Sequence, residues 1–396
     1  MGPISRIFAV IFLVLGSIGV GQAQVVPTFF GMHTSSPADW PVAIGALGKA
    51  GAVNWAYSEP SRGVFDWSGL DHWVSEAQNR GVSFIFSNDS IPAWAVRDLT
   101  PCVPVTTNST VLSCREMVTN IQDWDDFVTA LAKRYQGKLI YELWNEPSAN
   151  GTYLTVQDMI TLTNHEYSII RAIAPSARIL CCAFAAFNNY SYMSKFFAAG
   201  GGPRGVNAIS FHGNFRPPAP PPEWTSTMVD NVRAILAQYG FSSSKPIWDT
   251  EGGWAILDPP PASAQPAFIA KWYLLQLSKG VSRSYWYGWD LWRPLWTATQ
   301  NINAAGVAYQ QVFNWTVGAS MSPCRAASDG TTWTCALTRT GGYQGLIIWN
   351  SAGQKSYTPA SQYTRYRNLA GSTVTFTPGQ AIIIGLDPIV LETFTP

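Results

Sequence analysis

Two glutamates stand out because each closes a strand-like run and is followed by residues that end it. The first lies in Tyr141-Glu142-Leu143-Trp144-Asn145-Glu146-Pro147, an apolar run that finishes on an amide, a carboxylate and a proline. Proline has no backbone donor, so the strand stops there and Glu146 is left at its tip. The second lies in Ile247-Trp248-Asp249-Thr250-Glu251-Gly252-Gly253-Trp254, where two glycines let the chain turn sharply after Glu251. Two carboxyl groups that face one site can divide the cleavage of an acetal between them. One protonates the departing oxygen, and the other attacks the anomeric carbon or activates a water. A separation of about 5–5.5 Å suits double displacement, whereas an inverting pair needs room for the water.

Each glutamate needs an element to hold it. Short apolar, β-branched or aromatic runs fall at 29–34, 52–57, 82–87, 139–144, 178–184, 208–212, 246–250 and 282–287. Between them, 70–80, 123–135, 156–174, 226–239 and 266–279 carry apolar residues at three- and four-residue spacing, the mark of amphipathic helices. Eight strand–helix repeats predict an α/β protein with a closed parallel (β/α)8 TIM barrel. An open doubly wound sheet would show a glycine-rich phosphate turn after an early strand, and Gly200-Gly201-Gly202 follows a helix instead. The glutamates are 105 residues apart, close to three repeats of about 31 residues in a barrel of roughly 250. Glu146 therefore ends strand four and Glu251 strand seven, both at the C-terminal mouth where barrel enzymes keep their sites. The proline-rich patches 216–223 and 258–261 should be stiff loops on the same face. From about residue 319 the pattern turns to alternation broken by frequent turn residues, which predicts a small β-sandwich. The domain reading is a leader at 1–23, a catalytic barrel at 24–318 and an accessory sandwich at 319–396.

The motif Trp144-Asn145-Glu146-Pro147 on strand four, with Glu251 on strand seven, resembles the clan A glycoside hydrolases. Glu59-Pro60-Ser61-Arg62-Gly63-Val64-Phe65-Asp66-Trp67 and Ile91-Pro92-Ala93-Trp94-Ala95 are similar to family 39 of that clan, which includes β-xylosidases and α-L-iduronidases. The similarity spans roughly residues 29–290. It implies a retaining hydrolase of β-linked sugars that needs no cofactor and takes an oligo- or polysaccharide as its partner. It implies Glu146 as acid/base, Glu251 as nucleophile and Asn145 as a partner of the sugar 2-hydroxyl. Clan relatives floor the sugar site with a strand-eight tryptophan, which points to Trp286, with Tyr285 beside it. Many carry an aromatic hydroxyl two residues after the strand-six histidine. Here that position is Asn214, which leaves open what hydrogen-bonds the nucleophile.

Other positions follow from their place on the strands. His212 ends strand six beside strand seven, where it can orient a catalytic glutamate, touch the sugar or serve the fold. His33 and Asn88, at the ends of strands one and three, and Trp94 just beyond are candidate pocket residues. Glu59 reads as a structural partner of Arg62. Trp94, Trp224, Trp254, Trp286, Trp289 and Trp292 lie on or after strands three, six, seven and eight, and rings that stack on sugars in that number predict more than one subsite. A β-linked plant-type glycan such as xylan or glucan is the expected substrate; the Cys102–Cys114 and Arg216–Glu223 loops fit either a pocket for exo-cleavage or an open cleft for endo-cleavage, with a lean towards the pocket.

Composition narrows the alternatives. A net charge of +1 with 12% charged residues and no basic cluster argues against nucleic acid. The histidines at 33, 72, 165 and 212 share no ligand spacing with each other or with the cysteines, so no metal site is expected. Arg6, the apolar run 7–20 and Gly21-Gln22-Ala23 read as a cleavable leader to a secreted or periplasmic destination, and the run is too short for a membrane anchor. Cys102 with Cys114, and Cys324 with Cys335, read as local disulfides. Cys181 and Cys182 are expected to be buried free thiols, since neighbours on a regular strand point to opposite faces. Glycosylation sequons occur at Asn88, Asn108, Asn150, Asn189 and Asn314. The rival from another class is a carbohydrate-binding barrel without turnover, against which the intact glutamate pair speaks. A serine hydrolase is disfavoured by the lack of a Gly-X-Ser-X-Gly elbow.

Overall fold

The computed structural model describes residues 23–48, 53–99, 102–104, 112–148, 154–186, 189–299 and 301–393. The leader through residue 22, Asn108 and Asn150 lie outside the described residues. Eight strands close into a barrel: β1 (Phe30–Met32), β2 (Ala46–Leu47), β3 (Ser83–Ser87), β4 (Ile140–Leu143), β5 (Arg178–Ala185), β6 (Ala208–Asn214), β7 (Ile247–Gly253) and β8 (Arg283–Trp286). All neighbours are parallel, and β8 returns to β1. Helices α1 (Trp55–Ser58), α2 (Ser68–Asn79), α3 (Ile121–Tyr135), α4 (Val156–Ile173), α5 (Ser191–Ala198), α6 (Thr225–Gln238), α7 (Gln265–Ser278) and α8 (Ala304–Thr316) follow the strands. The predicted (β/α)8 barrel is the observed one. Inside it, Ala46, Ile85, Ile140, Leu180, Ala208, Trp248 and Tyr285, one from each of seven strands, form a buried layer that plugs the lumen below the mouth.

The second strand lies elsewhere than 52–57. It is the two-residue β2, and the expected run instead enters α1, whose N-cap Asn54 accepts from the Tyr57 amide. A side chain that satisfies a free helix donor outweighs the strand preference of a short aromatic run. Ala52 itself lies outside the described residues.

After α8 the chain builds a seven-stranded antiparallel sheet centred on Thr332–Thr338, Gln344–Asn350, Ile389–Thr393 and Tyr363–Arg367, plus the two-stranded pair Lys355–Tyr357 and Ile382–Ile384. Period-two alternation gives the large sheet two apolar faces. Cys335, Leu337, Ile347, Trp349 and Val390 join the barrel core, while Ile348, Ile389 and Leu391 pack with Ile382 and Ile384. Each such buried side chain contributes about 1.5–3 kcal/mol. The Trp349 indole also donates to Glu223 Oε1 at 2.9 Å, and Glu223 pairs with buried Lys271 at 2.9 Å, so sheet and barrel share polar contacts as well.

Cys102–Cys114 and Cys324–Cys335 are bridged as expected, the second at the base of an antiparallel hairpin that pairs Arg325 and Ala326 with Thr334 and Trp333. Cys181 and Cys182 are bridged to each other rather than free, across a cis peptide bond. The expectation assumed a regular strand. Here the register with β6 shifts between Cys181 and Phe184, and Ala183 has φ 45°, so simple alternation does not hold. No helix among the described residues is long and apolar enough to cross a membrane.

Candidate active site

The tip of β4 is held from both sides. The Asn145 amide donates to the Asn88 carbonyl at 2.8 Å, and the Glu146 amide donates to the Ala183 carbonyl at 3.2 Å, so β3 and β5 fix the turn between them. Trp144 and Glu146 have φ 69° and 45°, a left-handed conformation that side chains other than glycine adopt only when their surroundings enforce it. The tip of β7 is shaped by a register shift against β6 between Asp249 and Glu251. Beneath it, buried Asp249 accepts from the Gly213 amide at 2.8 Å. A Cβ on Gly213 would sit 2.1 Å from Asp249 Oδ2, so glycine is what allows that approach.

These tips bring Glu146 and Glu251 together around the end of β6. His212 Nδ1 is 2.8 Å from Glu146 Oε1 and 3.7 Å from Glu251 Oε2, and Asn214 Nδ2 donates to Glu251 Oε1 at 3.0 Å. One oxygen from each carboxylate and one His212 nitrogen all lie within 4.8 Å of one another. Among the described residues this is the one trio of such side chains close enough to hold a cation, which spacing along the sequence did not foretell. Asn214, met in the sequence as a departure from the clan pattern, is the nucleophile candidate's hydrogen-bond donor.

The charges depend on one another. Burial alone would strip His212 of its proton, but the charge of Glu251 and the hydrogen bond and charge of Glu146 outweigh it and push the imidazole up to about 9. Burial raises Glu146, yet the hydrogen bond from His212 and the positive charges of His212, Arg216 and Arg115 prevail and leave its carboxyl below the usual value. Fully buried Glu142 is pushed up by desolvation, against a 2.7 Å hydrogen bond from Thr250. Burial also carries Asp249 up to about 8. The protonated form of His212 is thereby favoured beside Glu146.

A cavity of about 490 Å³ opens above this trio. Glu146, Glu251, Asn145 and His33 line it, and His33 is anchored by its Nε2 to the Thr250 carbonyl at 2.7 Å. His212 lies beneath, 1% exposed. Other expected residues are placed elsewhere. Asn88 is fully buried, its amide group spent on the Trp55 amide and the Ser90 carbonyl at 2.8 and 2.9 Å, so it reaches neither sugar nor glycan. Trp94 lines a separate cavity of about 400 Å³ with Glu59, Arg62 and Asp123. Glu59 is structural as expected, but its partners are Trp55 Nε1 and the Gly63 amide, while Arg62 pairs with Asp123.

Strand eight shows a phase error of one residue. Tyr285 points into the lumen layer, so Trp286 points outward, packs on Trp254 and Trp272, and donates its indole hydrogen to the Arg293 carbonyl at 3.0 Å. Alternation then returns Tyr287 to the inside one level higher, where it lines the cavity. Neither Tyr285 nor Trp286 reaches the cavity, and Tyr287 takes the place expected for Trp286. The expected strand start at 282 puts 286 in phase with the lumen, whereas the observed start at Arg283 puts 285 and 287 there. Trp254 and Trp289 are buried and Trp224 packs on Phe215, so of the six tryptophans expected to supply stacking rings only Trp292 lines the mouth. Thr34, Ser35, Asp89, Arg115, Tyr287 and Leu291 are the lining residues that the sequence did not flag.

A family model described as β-galactosidase, of glycoside hydrolase family 42, matches residues 46–151. The fold is similar to that of a family 39 glycoside hydrolase from the gut symbiont Bacteroides cellulosilyticus WH2, with TM-score 0.72 and 16% identity over 93% of this chain and 81% of that one. It is also similar to a family 39 β-xylosidase from Caulobacter crescentus, with TM-score 0.67 and 13% identity over 94% and 98% of the two chains. A family 30 endoxylanase from Clostridium papyrosolvens C71 matches with TM-score 0.62 and 13% identity over 95% and 98%. The fold is that of the clan A barrels, and the family match and the folds together support an O-glycosyl hydrolase.

Proposed function

We propose that this clan A barrel is a retaining glycosidase of β-linked sugars, with Glu251 as nucleophile and Glu146 as acid/base. The observation that carries the reading is the approach of a Glu146 and a Glu251 oxygen to within 4.8 Å at the floor of a cavity, near the separation of about 5 Å that suits double displacement. Glu251 attacks the anomeric carbon as its bond to the leaving oxygen breaks, and Glu146 delivers a proton to that oxygen. A water then gives a proton to Glu146, attacks the same carbon and frees Glu251. Asn145 is the partner of the 2-hydroxyl, and Tyr287 the ring beneath the sugar.

The resting charges indicate where the acid's proton is stored. His212 holds it because Glu251 and Glu146 outweigh burial. As Glu251 bonds to the anomeric carbon its charge is consumed, and burial increasingly favours the neutral ring. In that same step the proton passes along the 2.8 Å hydrogen bond to Glu146 and on to the leaving oxygen, and hydrolysis returns a proton from water through Glu146 to His212. The test is turnover of a panel of aryl β-glycosides by the wild type and by Glu251→Ala, with the first anomer identified by NMR. An inverted first product, or undiminished turnover by Glu251→Ala, sinks the reading.

Export by the leader at 1–23 belongs to the same proposal and is supported by disulfides that suit an oxidising compartment. So does the division into a barrel at 24–318 and an accessory sandwich at 319–396. With one tryptophan at the mouth rather than several, a short glycone removed from a chain end fits better than a long open cleft. Release of only the terminal sugar from an oligosaccharide ladder is the expected result.

A further inference from the structure

We propose that the bridge between Cys181 and Cys182 positions the acid/base: it locks the end of β5 in a bulge whose Ala183 carbonyl holds the backbone of Glu146 in place. This rests on the glycosidase reading and gives the bridge a part in it. Leu180 and Cys181 pair in regular register with Ala208 and Ile209 of β6, and pairing resumes with Phe184 against Phe211 and Ala185 against His212. Three steps along β5 therefore match two along β6, the mark of one extra residue. Cys182 and Ala183 fall in that stretch, and Ser210 lies opposite. The Ala183 amide donates to the buried Ser210 Oγ at 2.9 Å. Its carbonyl accepts from the Glu146 amide at 3.2 Å, one of the two backbone bonds that fix the tip of β4. The Glu146 carboxylate goes on to His212, the residue paired with Ala185 just past the bulge. Both ends of that hydrogen bond thus take their place from the bulge.

Nothing in the run Leu180-Cys181-Cys182-Ala183-Phe184 favours such a turn by itself. Ala183 has φ 45° without being glycine, the residue that enters this region freely. Along a regular strand the two cysteine side chains would lie on opposite faces. Joined sulfur to sulfur they cannot, so the pleat breaks where the extra residue enters. Stability explains the bridge less well. A disulfide acts largely by closing a loop of the unfolded chain, and its effect grows with the length of that loop. The bridges Cys102–Cys114 and Cys324–Cys335 span 12 and 11 residues, whereas neighbours close almost no loop at all. Both sulfurs are fully buried, which shields the bond from exchange with other thiols. What such a bond can fix is the local backbone, and that backbone holds the Glu146 amide.

The test is the double variant Cys181→Ala with Cys182→Ala in the full chain, compared with Glu146→Ala. On aryl β-xylosides and β-glucosides, its kcat/KM should fall about tenfold or more for phenyl glycosides, whose leaving group is basic, and stay within about threefold for dinitrophenyl ones. A loss of stability alone would lower all of them alike. The titration of the His212 imidazole, followed by NMR, reads the same displacement without turnover. Glu142 in β4, Glu146 at its tip, and Asp249 and Glu251 in β7 act on that ring. With Glu146 moved away, its pKa should drop from about 9 by about one unit. Where Glu146→Ala shows the dependence on leaving group, a uniform loss or no loss in the double variant overturns the inference, as does an unmoved His212. So does a failure to fold of both this variant and Cys181→Ser with Cys182→Ser, which assigns the bridge to stability. If Glu146→Ala itself shows no dependence, the acid/base reading falls, and the His212 titration still decides whether the bridge places Glu146.

Discussion

Two cavities of similar size, about 490 and 400 Å³, each combine carboxylates, an arginine and a tryptophan, and they differ in what those groups have left to offer. In the smaller one, Glu59 spends its oxygens on Trp55 Nε1 at 2.6 Å and the Gly63 amide at 2.7 Å. Arg62 there pairs with Asp123 and lies over Trp94, 5.1 Å from its ring centre, so the aromatic face is covered. At the barrel mouth Glu146 and Glu251 share one buried histidine, and Trp292 is bare. Burial raises Glu59 as well, so a perturbed carboxyl does not by itself mark a site. Unspent hydrogen-bonding capacity around a shared proton does.

The largest effect expected from this contrast is at the nucleophile. Glu251→Ala should lower kcat by about four orders of magnitude or more, whereas Glu59→Gln should leave kcat within about twofold, since it touches no reacting group. Steady-state kinetics on one aryl glycoside decide it, and an equal loss in both variants would erase the distinction between the cavities. Next in size, Glu146→Ala should cost about two to four orders on glycosides with basic leaving groups and far less on activated ones, because proton assistance matters most when the departing oxygen is basic. A flat dependence on leaving group would remove Glu146 from that role.

Smaller effects concern stability. His212 is raised from 6.5 to about 9 in the folded protein, so it binds its proton more tightly folded than unfolded. Its contribution is complete below the unfolded value and is lost as pH rises through about 9. Thermal stability should therefore fall between about pH 6.5 and 9, and His212→Asn should flatten that slope; an unchanged slope would mean that other groups set it. Smallest of all, Glu59→Gln should cost about 1–3 kcal/mol in urea unfolding by leaving one buried donor short of a partner. No loss of stability would show that Glu59 is not a structural hub.

How much of this was legible beforehand follows from the physics of each signal. Seven barrel strands announce themselves as short apolar runs; the eighth, Ala46–Leu47, is too short to do so, and the Asn54 cap redirects the run after it into a helical turn. The glutamate pair was readable because Pro147 and the Gly252-Gly253 pair mark strand ends. The strand-eight ring was missed because Tyr285, Trp286 and Tyr287 are consecutive aromatics, so composition carries no phase. Arg115 and Asp89 were invisible because they come from loops whose paths the cross-strand pairing and the Cys102–Cys114 bridge decide. The Cys181–Cys182 bridge depends on an irregularity in β5 that no periodicity reveals.

The most direct test of the central claim is mass spectrometry of the protein after incubation with activated 2-deoxy-2-fluoro β-glycosides, whose glycosyl-enzyme esters are slow to hydrolyse, in gluco and xylo forms. The account predicts a gain of one sugar mass, carried by the peptide that contains Glu251 and absent in Glu251→Gln. A sugar ester on Glu146 or any other residue, or turnover of the parent glycoside that releases the inverted anomer, would contradict it.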